Sequence, residues 1–410
     1  MDTTPHSDAC YRMSIHYESD YGDHQDQLFV QQENLHSVIG KLPAAMRNDL
    51  LAGTNTVSDE SAKTLDYIKG KLFSNDAAAQ TVSVPEETFI RRPGNNITLE
   101  PRAGRFYPAA LFNSEKLPAS NRMTPFRIID RREGELLVNT SHPLSDYDIT
   151  LTLEMLKPDD DSYYACHIAS RPLQAMQLPD FLTGPGMQLR YCNNGTDFFS
   201  DNPFQRADNT ADREFYSQPR LIDHLDASAL LQLKSLHNRL VPAESIVLDM
   251  MSSINSHLDE HLVLKKLAGL GMNREELEAN PRLDEIIVHD INLQPRMPFD
   301  DASFDVVLCS LSIEYLTSPS AVFDEVARII RPGGRFIISF SNRWFPSRAV
   351  HVWSQLHDFE RIGLVAEYII ESAGFGVINT FSSRGLPRPV DDRHQLALSD
   401  PVYAVWADRT

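Results

Sequence analysis

The chain has 410 residues, which is too long for one comfortable hydrophobic core and predicts two or three domains at roughly 150 residues each. Its 57 acidic and 38 basic residues give a formal net charge of -19, so nucleic acid and anionic membranes are poor default partners. Four widely spread cysteines, no apolar stretch of roughly 18 residues and no secretion signal in MDTTPHSDAC together favour reduced thiols and a cytoplasmic location.

Residues 1–155 alternate short apolar segments with polar turns. Apolar runs predict strands over 11–19, 127–138 and 148–156, and VIGKLPAAMRNDLLAG at 38–53 has helical spacing. This pattern is typical of a β-rich α+β domain. The polar segment KPDDDS at 157–162 then favours a linker, with a surface turn inside one domain as the alternative.

The end of this region carries a family resemblance. GELLVNTSHPLSDYDITLTLEML resembles the end of a SlyD-type FKBP prolyl isomerase, and three earlier segments resemble that family's first strand, pocket helix and inserted flap. The resemblance implies a domain over 1–157 with a flap at about 75–130, and a partner that is an unfolded or proline-containing peptide. The implied isomerase-like pocket consists of Tyr17, Val38, Ile39 and Leu151.

The implied isomerase activity is weak or absent. Leu42 and Leu151 stand where the family usually has aromatic residues, which supply much of the grip on a proline ring. A structural or substrate-holding role is therefore at least as well supported for this domain.

The pattern changes in the second half of the chain. Residues 158–215 show no sustained period and are interpreted as linker and lid. From 216 to 410, helical segments at 221–240 and 320–330 alternate with apolar strands, which predicts a mostly parallel, doubly wound, Rossmann-like α/β domain with seven strands. Ligands of such sheets bind beyond the carboxyl ends of the strands. The predicted strands lie at 245–250, 264–272, 285–291, 304–312, 335–341, 376–382 and 402–408.

The second half also resembles a known family. The segments IIVHDINLQPRMPFDDASFDVVLCSLSIEYL and VFDEVARIIRPGGRFIISFSN resemble class I S-adenosylmethionine-dependent methyltransferases. The resemblance implies S-adenosylmethionine as cofactor, with the acid that ends the third strand, Asp290, binding the adenine. The cofactor-binding residues that it implies are Asp249, Met250, Ser252, Ser253, Asn273, Asp290, Ile291, Asn292 and Ser310.

The loop after the first of these strands departs from the usual family pattern. It reads DMMSSINSHL instead of a glycine-rich turn, and resembles a subgroup with a D-[LM]-M-S-S stretch. Small serines with hydroxyls favour cofactor binding in a strand-to-helix turn; the alternative is a pseudoenzyme whose loop no longer fits a cofactor. Asn273 stands where an acid usually binds the ribose, and an amide can still donate and accept there.

Methyl transfer requires in-line positioning of a nucleophile, and a base only if that nucleophile must lose a proton. We predict His257, Tyr315 and Tyr216 as catalytic residues and Arg220, Glu314 and Asn342 as substrate-binding residues, with no metal. The expected acceptor is a small molecule or a protein. The alternatives are a non-catalytic methyltransferase-fold scaffold and a prolyl isomerase or chaperone with a regulatory C-terminal domain.

Overall fold

The computed structural model describes residues 9–52, 62–73, 80–93, 98–117, 122–167 and 173–410. The N-terminal region begins with a hairpin, β1 (Cys10–Ser19) and β2 (Gly22–Gln31), followed by helices α1 (Gln32–Gly40) and α2 (Ala44–Leu51). The single helical stretch expected over 38–53 is thus two helices, because Pro43 lacks the N–H that a continuous helix needs. The remaining elements are β3 (Lys63–Tyr67), β4 (Thr81–Pro85), β5 (Phe106–Pro108), β6 (Pro125–Arg132), β7 (Glu135–Asn139), β8 (Ile149–Met155) and α3 (Asp161–His167).

The C-terminal region alternates helices and strands. Its helices are α4 (Asp212–Phe215), α5 (Ala227–Leu240), α6 (Arg274–Glu278), α7 (Pro319–Ile329), α8 (His351–Ser354) and α9 (Asp358–Glu371). Its strands are β9 (Ile246–Met250), β10 (Lys266–Gly271), β11 (Glu285–Val288), β12 (Phe304–Ser310), β13 (Ile330–Phe340), β14 (Phe375–Arg384) and β15 (Val402–Arg409).

The strands of the two regions form one mixed sheet. Its order is β11-β10-β9-β12-β13-β15-β14-β2-β1-β8-β3, and β14 pairs with β2 in parallel. The seven C-terminal strands are parallel except β15, which runs antiparallel to both neighbours. The N-terminal region expected at 1–157 is therefore joined to the C-terminal region by one continuous sheet.

Buried polar contacts cross the junction between the two regions. Asp26 on β2 accepts a hydrogen bond from Arg384 on β14 at 2.7 Å, and His24 is 2.8 Å from the Thr380 hydroxyl. Asp26 is 1% exposed, so its charge is compensated by the guanidinium and not by water. The junction between the two regions is therefore part of the buried interior of the fold.

A second sheet of four strands is inserted between β3 and β8. Its order is β4-β7-β6-β5, and it has a hydrophobic core of its own that includes Phe89, Phe112 and Phe126. The strands of this sheet span residues 81–139, so the insertion extends beyond the flap expected at about 75–130. Residues 75–79 of that expected flap lie outside the described part of the chain.

The segment predicted as linker and lid has two different roles. Leu178, Phe181 and Leu182 pack into the N-terminal core with α1 and β1, so this part is buried structure and not a lid. Residues 212–225 instead lie over the carboxyl ends of the C-terminal strands and contribute to a cavity there.

The expectation of four reduced cysteines is wrong for one pair. Cys10 on β1 and Cys166 on α3 form a disulfide across 156 residues of sequence, whereas Cys192 and Cys309 are free. The two partners meet because α3 folds back onto β1, in a small cluster that includes Phe29 and Ala165. Among the residues described, no helix has the length and apolar character needed to cross a membrane.

Candidate functional site

A cavity of about 460 Å³ lies at the carboxyl ends of β9, β10, β11 and β12. This is the edge where parallel strands of a doubly wound sheet present their ligand-binding loops. The predicted site residues that line it are Asp249, Ser252, Ser253, Asn273, Asp290, Ile291, Asn292, Ser310, His257, Tyr315, Tyr216 and Arg220.

The serine-bearing loop after β9 approaches the neighbouring strand closely. The Ser252 N–H donates to the Leu270 carbonyl at 2.8 Å, and a Cβ on Gly271 would stand 2.3 Å from the Ser252 carbonyl oxygen. The glycine that permits the close approach is therefore on β10 and not in the loop. No helix follows β9 before β10, so the expected strand-to-helix turn is instead an open loop over 251–265.

Asp249 stabilises this loop through hydrogen bonds. Its carboxylate accepts a hydrogen bond from the Ser252 hydroxyl at 2.5 Å, and a second one from Ser256. Burial raises the pKa of Asp249 to about 6, and the two serine hydroxyls act in the opposite direction. The serines of the loop thus fix its shape through the acid that ends β9.

The loop is tied to the covering segment through Glu276. One carboxylate oxygen accepts from the Ser253 hydroxyl at 2.7 Å, and the other accepts from the Arg220 backbone N–H at 2.7 Å. Asn273, the expected ribose-binding residue, caps α6 through its oxygen and donates through its amide to the Tyr216 carbonyl at 2.9 Å. Both side chains therefore position the cover of the cavity.

The turn after β11 also contributes to the wall of the cavity. Asp290 accepts from the backbone N–H groups of Asn292 at 3.1 Å and Leu293 at 3.0 Å. The Asn292 amide donates to Asp212 at 2.8 Å and to the Tyr315 carbonyl at 3.0 Å. Asn292 thus connects β11, the residues after β12 and the covering segment.

Two polar atoms of the cavity wall have no hydrogen-bond partner among the described residues. They are Nδ1 of His257 and Nη1 of Arg220, both buried. Burial lowers the pKa of His257 to about 3, so its imidazole is neutral at pH 7. A buried polar group without a partner is costly, so these two atoms are a local cost to stability.

The hydroxyl groups of the two tyrosines in the wall stay protonated near neutral pH. Burial raises the pKa of Tyr216 and of Tyr315, and the Tyr315 hydroxyl accepts the Phe345 N–H at 2.9 Å. Ser310, at the end of β12, accepts a hydrogen bond from Ser339 at 3.3 Å. Near neutral pH both tyrosines therefore act as phenols that donate hydrogen bonds, and neither is a base.

Three predicted residues lie outside this cavity. Met250 is 0% exposed in the hydrophobic core, because side chains along a strand alternate between faces. Glu314 is buried behind Tyr315 at 1% exposure, and burial raises its pKa to about 7. Asn342 lines a second, neighbouring cavity. As contacts of the first cavity these three assignments need correction.

Further wall residues were not among the predicted site residues. Those of the covering segment and those after β13 lie in stretches without a periodic pattern, so spacing gives no signal for them. The others follow the strands or lie at their ends. All of them together are Asp212, Ile222, His224, Leu225, Met251, Asn255, Leu270, Gly271, Met272, Glu276, His289, Leu311, Ser312, Arg343, Trp344, Phe345 and Arg393.

The predicted isomerase-like pocket is filled by the chain itself. Tyr17, Val38, Ile39 and Leu151 meet in one buried cluster, which residues 173–189 close from the side. The Gly186 N–H donates to the Tyr17 hydroxyl at 3.0 Å. The four residues are thus brought together as predicted, but they form a packed core.

Parts of the chain are similar in sequence to known methyltransferases. Residues 257–338, about a fifth of the chain, match a family model described as "Methyltransferase domain". The chain is 29% identical over 91 residues to a malonyl-[acyl-carrier protein] O-methyltransferase of Marinomonas sp., covering 22% of this chain and 34% of that protein. It is 27% identical over 79 residues to a ubiquinone/menaquinone biosynthesis C-methyltransferase of Laribacter hongkongensis, covering 19% of this chain and 31% of that protein.

The chain thus spans about a third of the length of these curated relatives. A SAM dependent methyltransferase structure from Aquifex aeolicus overlaps 45% of this chain and 95% of its own, at 13% identity and a TM-score of 0.31, which is too low to bear on function. The C-terminal part of the chain has a mixed α/β, Rossmann-like methyltransferase fold, and S-adenosylmethionine is the cofactor that the matches imply.

Proposed function

We propose that the chain is a methyltransferase that binds S-adenosylmethionine in the 460 Å³ cavity and transfers its methyl group to a small molecule or a protein. The observation that carries the proposal is the cavity itself, which stays open at the carboxyl ends of four strands although the loop after β9 lacks glycine. Met250 points into the core, and Ile254 is not part of the wall, so neither side chain fills the space.

The residues present fit the cofactor by their chemistry. The cofactor supplies an activated methyl group on a sulfonium. Around it, the cavity wall includes the Arg220 guanidinium, whose charge suits a carboxylate, and the neutral imidazole of His257. Asp290, two residues after β11, would accept a hydrogen bond from the adenine amine, as the family resemblance implies.

The proposal is tested by calorimetric titration with S-adenosylmethionine and S-adenosylhomocysteine. We expect binding by the wild-type chain and at least tenfold weaker binding by Asp290→Ala, because one hydrogen bond to a charged group contributes about 1.5–3 kcal/mol. The matched control is Glu260→Ala, whose side chain is 84% exposed outside the cavity. Absence of heat at millimolar ligand would remove the enzymatic proposal in favour of a non-catalytic scaffold.

We further infer that the N-terminal region is an FKBP-type module with a structural or substrate-holding role. The order β1, β2, α1, β3, inserted sheet, β8 supports a relation to SlyD-type proteins, and the closure of the Tyr17 pocket by residues 173–189 argues against isomerase activity. The test is the refolding of a client whose rate is limited by proline isomerisation. If the full chain accelerates that refolding, this inference is wrong.

The acidic net charge of -19 supports a small-molecule or protein acceptor over nucleic acid. We propose a cytoplasmic location on the same composition. The Cys10–Cys166 disulfide argues against a cytoplasmic location, because disulfides are rare in reducing compartments. Alkylation of cysteines in freshly lysed cells distinguishes the two: labelling of Cys10 and Cys166 supports the cytoplasm, and protection contradicts it.

A further inference from the structure

A second cavity of about 1190 Å³ lies beside the first, between the N-terminal region, the inserted sheet and the C-terminal sheet. Four consecutive residues after β13 separate the two. Asn342 lines the second cavity, Arg343 lines both, and Trp344 and Phe345 line the first. The cavities therefore meet at the side chain of Arg343.

The sizes of the two cavities assign them different ligands. A cavity of about 460 Å³ is near the lower end of the range that holds one organic ligand, roughly 300–1,000 Å³, so a cofactor leaves little room for an acceptor. The larger cavity has an apolar lining that includes Leu42, Pro43, Phe73 and Phe359. The adjoining space for an acceptor with an apolar body is therefore the second cavity, on the far side of Arg343.

Positive charge is concentrated where the cavities meet. Arg343 donates to Nε2 of His394 at 2.6 Å, and Arg393 donates to the same nitrogen at 3.2 Å. Neither guanidinium forms an ion pair with a carboxylate of the described residues. By contrast, the other two arginines of the second cavity are neutralised, Arg384 by Asp26 and Arg388 by Asp400.

A guanidinium group that forms no ion pair can bind an anion through charge-assisted hydrogen bonds. The surrounding protein carries a net charge of -19, so an anion gains nothing from the average field and needs such a local site. Arg343 is therefore the cation at the junction of the two cavities, whereas Arg393 is exposed and lines the first cavity only.

We propose that the second cavity binds the methyl acceptor, and that this acceptor is an organic molecule with an apolar body and one anionic group, held by Arg343 where the two cavities meet. The proposal rests on the methyltransferase function proposed above. Asn342, predicted from the sequence as substrate-binding, then contacts the acceptor and not the cofactor.

The test measures binding to the full chain saturated with S-adenosylhomocysteine. Calorimetry compares two anionic probes, decanoate and 2-naphthoate, with the neutral isosteres decanamide and 2-naphthamide. We expect at least one anion to bind, and at least tenfold more tightly than its amide. Equal affinity for anion and amide, or no binding of either anion, overturns the proposal.

Two variants locate the probe. Arg343→Met is expected to remove the preference for the anion, whereas the exposed control Arg274→Met keeps it. Ala397 lines the second cavity but not the first. Ala397→Trp therefore fills the second cavity, and we expect it to abolish anion binding while S-adenosylhomocysteine still binds.

These outcomes separate the two proposals. If the wild type fails to bind S-adenosylhomocysteine, the methyltransferase proposal fails; if it binds S-adenosylhomocysteine but Arg343→Met keeps the full anion preference, only the acceptor proposal fails. Because Arg343 lies on a loop and not in the core, its variant decides the question even if Ala397→Trp does not fold.

Discussion

At the scale of single residues, a glycine on one strand substitutes for glycines missing from a loop. Gly271 ends β10, and the Ser252 carbonyl passes over it so closely that any Cβ there would stand 2.3 Å away. The space for the loop after β9 is therefore provided by its neighbour, which explains how DMMSSINSHL keeps the cavity open.

Gly271→Ala should force Ser252 out of place. We expect a loss of about 1–3 kcal/mol in unfolding free energy, as for other overpacked positions, and a loss of S-adenosylmethionine binding. Urea unfolding and calorimetry measure the two effects. Gly195→Ala is the matched control because an added Cβ there meets nothing within 4 Å. Equal behaviour of both variants contradicts the explanation.

Glu314 is a second residue whose chemistry depends on burial. Its pKa is raised from 4.5 to about 7, and one of its oxygens has no partner among the described residues. A raised pKa means that its contribution favours folding below pH 4.5 and is lost as the pH rises through about 7.

Glu314→Gln should therefore stabilise the chain above pH 7 and change little near pH 4.5. The shift corresponds to about 3 kcal/mol at most, using 1.36 kcal/mol per pKa unit. Urea unfolding at the two pH values checks this, with the exposed Glu260→Gln as control. A variant that is equally or less stable at pH 8 would show that the carboxylate is compensated after all.

At the scale of elements, α6 fastens the cover of the cavity. Glu276 connects the loop after β9 with the segment 212–225, and Asn273 connects that segment to the start of the same helix. A short helix of five residues thereby links two irregular segments of the chain, the loop after β9 and the segment 212–225.

Removal of this link should loosen the cover. Glu276→Ala is expected to weaken S-adenosylmethionine binding by about tenfold, because two hydrogen bonds to a charged group of roughly 1.5–3 kcal/mol each are lost, partly replaced by water. Limited proteolysis should also cleave 212–225 faster. Glu275→Ala, one residue away and exposed, should match the wild type in both assays. Unchanged proteolysis of Glu276→Ala would rule out the fastening role.

The strands around the site could be predicted from the sequence, because each contains a run of apolar residues. All seven segments predicted from 245 to 408 overlap an observed strand. The helix expected over 221–240 begins only at Ala227, since Asp226 caps it and the residues before it form the cavity cover. The cover and the open loop depend on hydrogen bonds between residues far apart in sequence, which no local pattern reveals.

At the scale of the whole molecule, the sheet joins what the sequence suggested were separate modules. Two family resemblances in succession indicate two domains, but periodicity cannot show that β2 and β14 pair. The same limit applies to Cys10 and Cys166, whose proximity arises only once α3 packs against β1.

One sheet through both regions predicts a single unfolding event. Scanning calorimetry should show one cooperative transition, and Arg384→Met, which leaves Asp26 buried and unpaired, should destabilise the chain by about 3–5 kcal/mol. Arg274→Met, from a pair with side chains 63% and 56% exposed, should change the stability by less than about 1 kcal/mol. Two separate transitions would contradict a shared interior.

The parallel pairing of β2 with β14 also governs how the protein tolerates being divided. A fragment that stops before Asp161, or one that starts after it, would lose the pairing of His24–Leu28 with Thr380–Arg384 and expose the N–H and C=O groups of that strand edge. We expect such fragments to aggregate, so division of the chain between its two regions should yield insoluble material.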